Sequence, residues 1–337
     1  MIPHSKPNIV KDDFLIVEKT LFSGMISANN LNCKFKQCLE KYLSKEFVSL
    51  FSSGSQGLFI VLKSIFDSEK TEILIPNYIC DSVYQAILNS GLKPILYDNK
   101  SNSWTSDFVN IKSNITDKTL AVLINHTFGI RMSDIQELKS CGIHIIEDCC
   151  HALTDSINGL EISKHSLCSI YSFDATKWIA TGNGGAVATN NKELFKEMER
   201  IKLDEGLPDL LCSLGISQLN RIKEFIDKRY FIAQQYFDNM PYITKNLVKF
   251  DSIFFRFPIL VPKINLNYFL NNNKVAFRRG VDEILSEKHG GVGKLENSKD
   301  VFERTISIPI YPSLKQSEIN IIINETKRCF YESRNVR

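Results

Sequence analysis

The stretch "SIYSFDATKWIATGNGGAVATNN" (Ser169–Asn191) carries a short apolar run, then Lys177, then Gly182, Gly184 and Gly185 ahead of a second apolar run. The flanking segments HSLCSIYSFD and GAVATN read as two strands. The lysine therefore stands at the rim of an expected sheet, with permissive backbone close behind. Two readings are open at this point: a solvated turn, or a fixed amine required for covalent chemistry.

Working outward, short apolar runs alternate with helical ones. EILIPNY (Glu72–Tyr78), KPILYD (Lys93–Asp98), TLAVLINHTFG (Thr119–Gly129) and IHIIEDCCHA (Ile143–Ala152) read as strands. FSSGSQGLFIVLKSIFDS, CDSVYQAILNSG and MSDIQELKSCG read as helices, the last two stopped by glycine. That alternation predicts an α/β protein with a mostly parallel sheet covered on both faces. Ala28–Phe51 reads as a helix, NKELFKEMERIK as another, and LLCSLGISQLNRIKEFIDKRYFIAQQYFDNM as a long amphipathic one. Near residue 240 the texture changes. ITKNLVKF and SIFFRFPILVP look like strands, NKVAFRRGVDEILSEK like a helix, and TISIPIYPSLKQSEINIIINETKRCFY ends in a helix. A large domain over 1–235 and a smaller α+β domain over 236–337 are expected.

The 337 residues are 43% hydrophobic and 23% charged, enough for a sizeable core in a soluble protein. A formal charge of +3, with no dense Lys/Arg stripe, points away from nucleic acid or an anionic membrane as the main partner. The N-terminal stretch MIPHSKPNIVKDD has no basic segment leading into an apolar core, and no apolar run reaches spanning length, so a cytoplasmic location is expected. The nine cysteines, mostly in apolar runs, fit reduced thiols. CxxC and HExxH patterns are absent, so no metal site is expected.

Ligands of a parallel sheet collect beyond the carboxyl ends of its strands. His126, Glu147, Asp148, Ser172 and Lys177 all fall at such ends. Each also has a structural reading: Asp148 as a cap or turn residue, His126 as a core histidine, His151 as a shelf rather than a metal ligand. Ser53–Gly57 (SGSQG) has the small residues of an anion nest opening a helix, and a simple helix cap is its alternative. Taken together, a nest, a carboxylate and an amine suit pyridoxal phosphate, which requires a phosphate cradle, an anion facing its ring nitrogen and an amine for its aldehyde.

The ordered segments SSGSQGL, ILIPNYICDSVYQAILNSGLKPILYD, AVLINHTFGI, IHIIEDCCHAL and SIYSFDATKWIATGNGGAVATN resemble the DegT/DnrJ/EryC1/StrS family of pyridoxal-phosphate-dependent sugar aminotransferases. DLLCSLGISQLNRIKEFIDKR and ISIPIYPSL extend the likeness, and the linked EDxxHA and SFxxTK…GxGG motifs are its most specific part. The resemblance implies the fold type I architecture, a seven-stranded sheet between helices, and a homodimer with active sites at the subunit interface. Carried over by position, Lys177 would bind the cofactor aldehyde and Asp148 would face the pyridine nitrogen. Ser172 would hold the phosphate beside Gly54 and Ser55. His151 would lie near the cofactor ring, and His126 would shape the substrate pocket. The implied reaction moves an amino group, with glutamate as donor, to a nucleotide-linked keto-sugar. A non-sugar ketone, or a non-catalytic scaffold, are the alternatives. Related dehydratases replace the lysine with histidine.

Several positions depart from the family pattern. Cys80 stands where an aromatic often stacks on the cofactor, Asn183 replaces a charged residue, Asp174 follows Ser-Phe, and no N-x-R-M lead precedes the long helix. Arg256, Arg278 and Arg279 are basic candidates for substrate contact, with ordinary solvated charge as the alternative reading.

Overall fold

The computed structural model describes residues 1–203, 206–245, 252–291 and 295–332. Its strands are β1 (Phe47–Phe51), β2 (Glu72–Pro76), β3 (Lys93–Tyr97), β4 (Thr119–Asn125), β5 (His144–Asp148), β6 (Ser156–Ile157), β7 (Leu160–Glu161), β8 (Cys168–Ser172), β9 (Gly185–Thr189), β10 (Phe257–Leu260) and β11 (Thr305–Ile308). Seven of them form one sheet in the order β1-β9-β8-β5-β4-β2-β3. From β8 to β3 the ladder is parallel, and β9 runs antiparallel to both β8 and β1. Every residue of β4 is buried, as expected for a strand covered on both faces.

The expected strands 72–78, 93–98 and 119–129 are each present but shorter, because their last residues leave the ladder to form the rim. The helix expected over Ala28–Phe51 is two elements. Asn30–Leu43 is helical, Ser44 takes a left-handed φ of 54°, and Phe47–Phe51 becomes β1. The β-branched and aromatic run FVSLF is better served by pairing with β9 than by extending the helix. The long helix also divides, into Asp209–Leu219 and Ile222–Asn239. At the break, Arg221 turns its guanidinium onto both oxygens of Asp13 at 2.8 and 2.6 Å.

In the expected helix Asn273–Lys288, only Leu285 onward is helical, within Leu285–His289. Upstream, Val275 bridges Ile2 and Arg278 bridges Ser307, while Val275 and Phe277 are buried at alternate positions. The period of two prevails because distant backbone supplies the partners. Of the strand expected at ITKNLVKF, residues 246–250 lie outside the described residues, and the preceding Ile243–Lys245 is turn.

A second apolar core gathers Phe257, Phe269, Ile306, Ile322 and Phe330, and it reaches Ile2, Tyr78 and Phe128. The strand tips of the large sheet are therefore packed against the C-terminal part of the chain.

One backbone crossing positions the site. Gly185 opens β9 so close to the turn after β1 that a β-carbon there would lie 2.4 Å from both Gly54 N and Ser53 C. A Gly185→Ala substitution should therefore cost about 1–3 kcal/mol of stability through forced backbone displacement. Urea denaturation measures this, and an unchanged midpoint would refute the crossing.

Candidate active site

The helix Gly54–Ser64 starts at this crossing. Ser53 caps it by accepting the Gln56 N–H at 3.1 Å, and the amides of Gly54 and Ser55 belong to the first turn, which has no intrahelical acceptors. A β-carbon on Gly54 would meet Tyr171 O at 3.2 Å and both Cys150 Sγ and Ser172 Cβ at 3.4 Å. The helix start, the end of β8 and the turn after β5 thus border one another so closely that a side chain at residue 54 would crowd them.

Lys177 sits in a turn beyond β8 that is held from several sides. Asp174 Oδ1 accepts the Thr176 N–H and hydroxyl, both at 3.0 Å, and Asp174 O accepts the Lys177 N–H at 2.9 Å. The unexpected aspartate is thus the cap of the lysine's own turn. Trp178 Nε1–H donates to His151 O at 3.0 Å, and Ala180 N–H to Gln218 Oε1 at 2.8 Å. Asn183 accepts the Gly184 N–H at 3.0 Å, a local turn role. The Lys177 ammonium lies 5.7 Å from the centroid of the Phe255 ring.

Asp148 ends β5, where its Oδ1 accepts the Cys150 N–H at 3.0 Å. Burial, and then the Asp148 charge, push the Cys150 thiol well above its ordinary value, with Lys177 opposing. The same two charges reach Cys80, the exposed N-cap of the helix Asp81–Ser90. Asp148 closes β5 in register with Ile170 of β8, so the carboxylate stands at the strand end next to the one whose following turn carries Lys177. Tyr78 does not stand in for the missing aromatic: it is buried in the second core, edge-on to Phe128 at 6.4 Å.

His151 stacks on Phe255, ring centroids 4.3 Å apart and 19° from parallel. Its Nδ1 accepts the Phe128 N–H at 3.2 Å, so the ring proton resides on Nε2. Burial, then the charges of Lys177 and Arg256, hold this imidazole well below its usual range, and it is neutral at physiological pH.

His126 is placed differently from the expectation of a substrate contact. It is fully buried, its Nδ1 accepts the Met132 N–H at 3.2 Å, and its Nε2 meets Glu147 Oε2 at 2.9 Å. Both ring nitrogens are spent inside the core, which leaves none for a substrate. Cys149 Sγ lies near this pair, but burial keeps its thiol strongly protonated, so the group is a hydrogen-bonded core cluster.

Phe255, Trp178 and Cys150 belong to the site, although sequence reasoning assigned them nothing. Trp178 follows the lysine directly and carried a local signal. Phe255 lies 78 positions away inside a run that reads only as strand, and nothing local marks it.

Residues 7–327 match the model of the DegT/DnrJ/EryC1/StrS aminotransferase family. The chain belongs to that family. It is 26% identical over 366 residues to GDP-perosamine synthase of Escherichia coli O157:H7, covering 99% of each chain. Its fold matches that of Helicobacter pylori PseC, an aminotransferase involved in the biosynthesis of pseudoaminic acid (TM-score 0.88, 22% identity, 98% and 99% covered). It also matches Spr1654 of Streptococcus pneumoniae in its PLP form (TM-score 0.89, 19% identity, 98% and 99% covered). This aminotransferase uses pyridoxal phosphate, and its own residues fit that group. The first-turn amides of Gly54 and Ser55 suit a phosphate at a helix start, and a carboxylate ends the strand beside the one whose following turn carries the amine.

The buried pair gives this aminotransferase a stability test remote from its chemistry. His126→Ala would leave the Glu147 carboxylate buried and unpaired, costing about 3 kcal/mol or more. Chemical denaturation should show the loss, whereas the double variant His126→Ala/Glu147→Gln should recover part of it.

Proposed function

We propose that this aminotransferase transfers an amino group from glutamate to a nucleotide-linked keto-sugar, with Lys177 and Asp148 as its catalytic residues. The observation that carries the reading is the strand register: Asp148 ends β5 opposite Ile170 of the neighbouring β8, and Lys177 lies in the turn that follows β8. The substrate class is supported by family membership and by the names of its relatives, GDP-perosamine synthase among them.

Pyridoxal phosphate supplies an aldehyde to carry the amino group and a ring that accepts electron density as a carbon–hydrogen bond breaks. Each protein group then has a definite task. Lys177 Nζ would bind the aldehyde and, once displaced by the donor, would accept and return the proton of the substrate carbon. Asp148 would face the ring nitrogen, where its negative charge would favour the protonated form. The amides of Gly54 and Ser55, with the Ser172 hydroxyl, hold the phosphate. His151, a neutral imidazole, and Cys80, thin for its position, would be the residues packed near the ring.

A homodimer with active sites at the interface accompanies this reading. Phe14, Leu15, Phe22, Met25 and Ile26 are exposed apolar residues on and after the N-terminal helix Lys11–Phe22, a surface suited to a second copy of the chain. Among the described residues no helix is long and apolar enough to cross a membrane. We place the enzyme in the cytoplasm, making amino sugars for polysaccharide.

The holoenzyme should show a visible absorbance band that borohydride fixes onto Lys177, and both Lys177→Ala and Lys177→Arg should lack it. Identical spectra for wild type and Lys177→Ala would end the reading. Asp148→Asn should keep phosphate-dependent cofactor binding while lowering turnover about 100-fold or more. Labelled glutamate should pass its nitrogen to a nucleotide keto-sugar, and transfer only to non-nucleotide ketones would reject the substrate class. Light scattering should return twice the chain mass; a fully active monomer would contradict the shared-site dimer.

A further inference from the structure

The pocket beside Lys177 holds more positive charge than the protein answers. Arg229, Arg256, Phe255, His4 and Tyr311 line it together with the lysine. Arg229 is already committed. Its Nη1 donates to Phe255 O at 2.6 Å and to Ile310 O, and its guanidinium lies 4.7 Å from the Trp178 ring centroid. Arg278 is exposed at the edge, where its backbone pairs with Ser307, and Arg279 packs over Phe302 at 4.6 Å. His4 adds no compensating charge. It shares a 2.9 Å hydrogen bond with Ser307 Oγ, and burial, followed by the Arg256, Arg278 and Arg229 charges, holds it down to about 3.

Both lining guanidiniums have an enclosed Nε without a partner, but only the Arg256 side chain makes no hydrogen bond at all among the described residues. Its Cζ lies 5.6 Å from the centroid of the Phe255 ring, the ring that Lys177 also overhangs. Its Nε is enclosed without a hydrogen-bond partner, and among the described residues no ion pair engages it. The carboxylate that acts on it is Asp282, which is exposed; the Tyr78 hydroxyl is kept protonated by burial and brings no charge. A part-buried guanidinium without an anion is costly, and its planar fork matches an oxyanion with two oxygens.

We infer that Arg256 is the oxyanion anchor of this pocket and that it holds a carboxylate of the amino donor. This deepens the transamination reading, and it rests on the donor half-reaction alone. Arg256 and Lys177 share one aromatic ring, so the anion that Arg256 binds stays within a small molecule's length of the reacting amine. An amino acid carries its carboxylates that close to its amine. In a nucleotide-linked sugar, the pyranose ring separates the diphosphate from the carbon that receives nitrogen.

The test uses holoenzyme and reads the loss of the visible band on adding glutamate, which needs no keto-sugar. In Arg256→Gln the glutamate concentration for half-maximal change should rise roughly ten- to a hundredfold, the value of a charge-assisted contact, with Arg256→Lys intermediate. Glutarate, a dicarboxylate with no amine to transfer, should lose affinity in parallel by calorimetry, while thymidine 5′-diphosphate binds unchanged. If only the diphosphate weakens, the oxyanion belongs to the acceptor and the donor assignment is overturned. Should neither ligand weaken, in variants whose urea midpoints match wild type, Arg256 is not an anchor. Should Arg256→Gln fail to fold, Arg256→Lys carries the same comparison. Should the keto-sugar assignment be wrong, nucleotide sugars will accept no nitrogen while the glutamate response persists, which separates the two failures.

Discussion

The separation between one carboxylate and one amine, set by adjacent strands of a parallel ladder, is the constraint on which the chemistry depends. Asp148 pairs in register with Ile170, so the tip of β8 lies immediately beside the tip of β5. Ser172 pairs with Gly185, and Gly185 pairs with Phe51 on its other side. That row carries the chain directly into Ser53 and Gly54, which makes the phosphate cradle a consequence of sheet register. A one-residue slip would turn the inward-facing residues outward and move the helix start away from Ser172.

Strand alternation also explains how adjacent acids take opposite duties. Glu147 faces the core, where burial raises its carboxyl while hydrogen bonding and charge from His126 more than compensate, leaving it below its ordinary value. Asp148, one residue on, faces the rim and its thiols. Because Glu147 is depressed on folding, its contribution to stability is present above the ordinary glutamate range and fades as pH falls through the depressed value. The acid limb of stability therefore passes through a group that never touches substrate. Above the rim the charge is positive, from Lys177 to Arg256, and it adds to burial, the larger cause, in keeping His151 and His4 neutral.

Strand alternation, the glycine-rich turn and the linked ED and Lys motifs made the sheet, the family and the rim residues readable from the chain. These features are local: a period of two, a helix cap, a turn residue with its acceptor a few positions away. Where reading failed, the deciding partner was distant. β1 was absorbed into a helix because its reason for being a strand is β9, more than 130 residues on. Residues 273–284 carry helical spacing, yet Ile2 and Ser307 draw their backbone into bridges. His126 looked available because its partner Glu147 is 21 residues away, in the neighbouring strand.

By itself the sequence determined which chemistry-bearing residues stand at strand ends, because apolar periodicity dictates where strands stop and polar groups at those ends escape burial. Tertiary structure alone decided which of them meet. It turned His126 inward, brought Phe255 beside both Lys177 and Arg256, and left the Arg256 Nε enclosed without a partner. The physical reason is range: propensity and capping act over a few residues, whereas desolvation and Coulomb interaction depend on distances in space that only the packed chain sets.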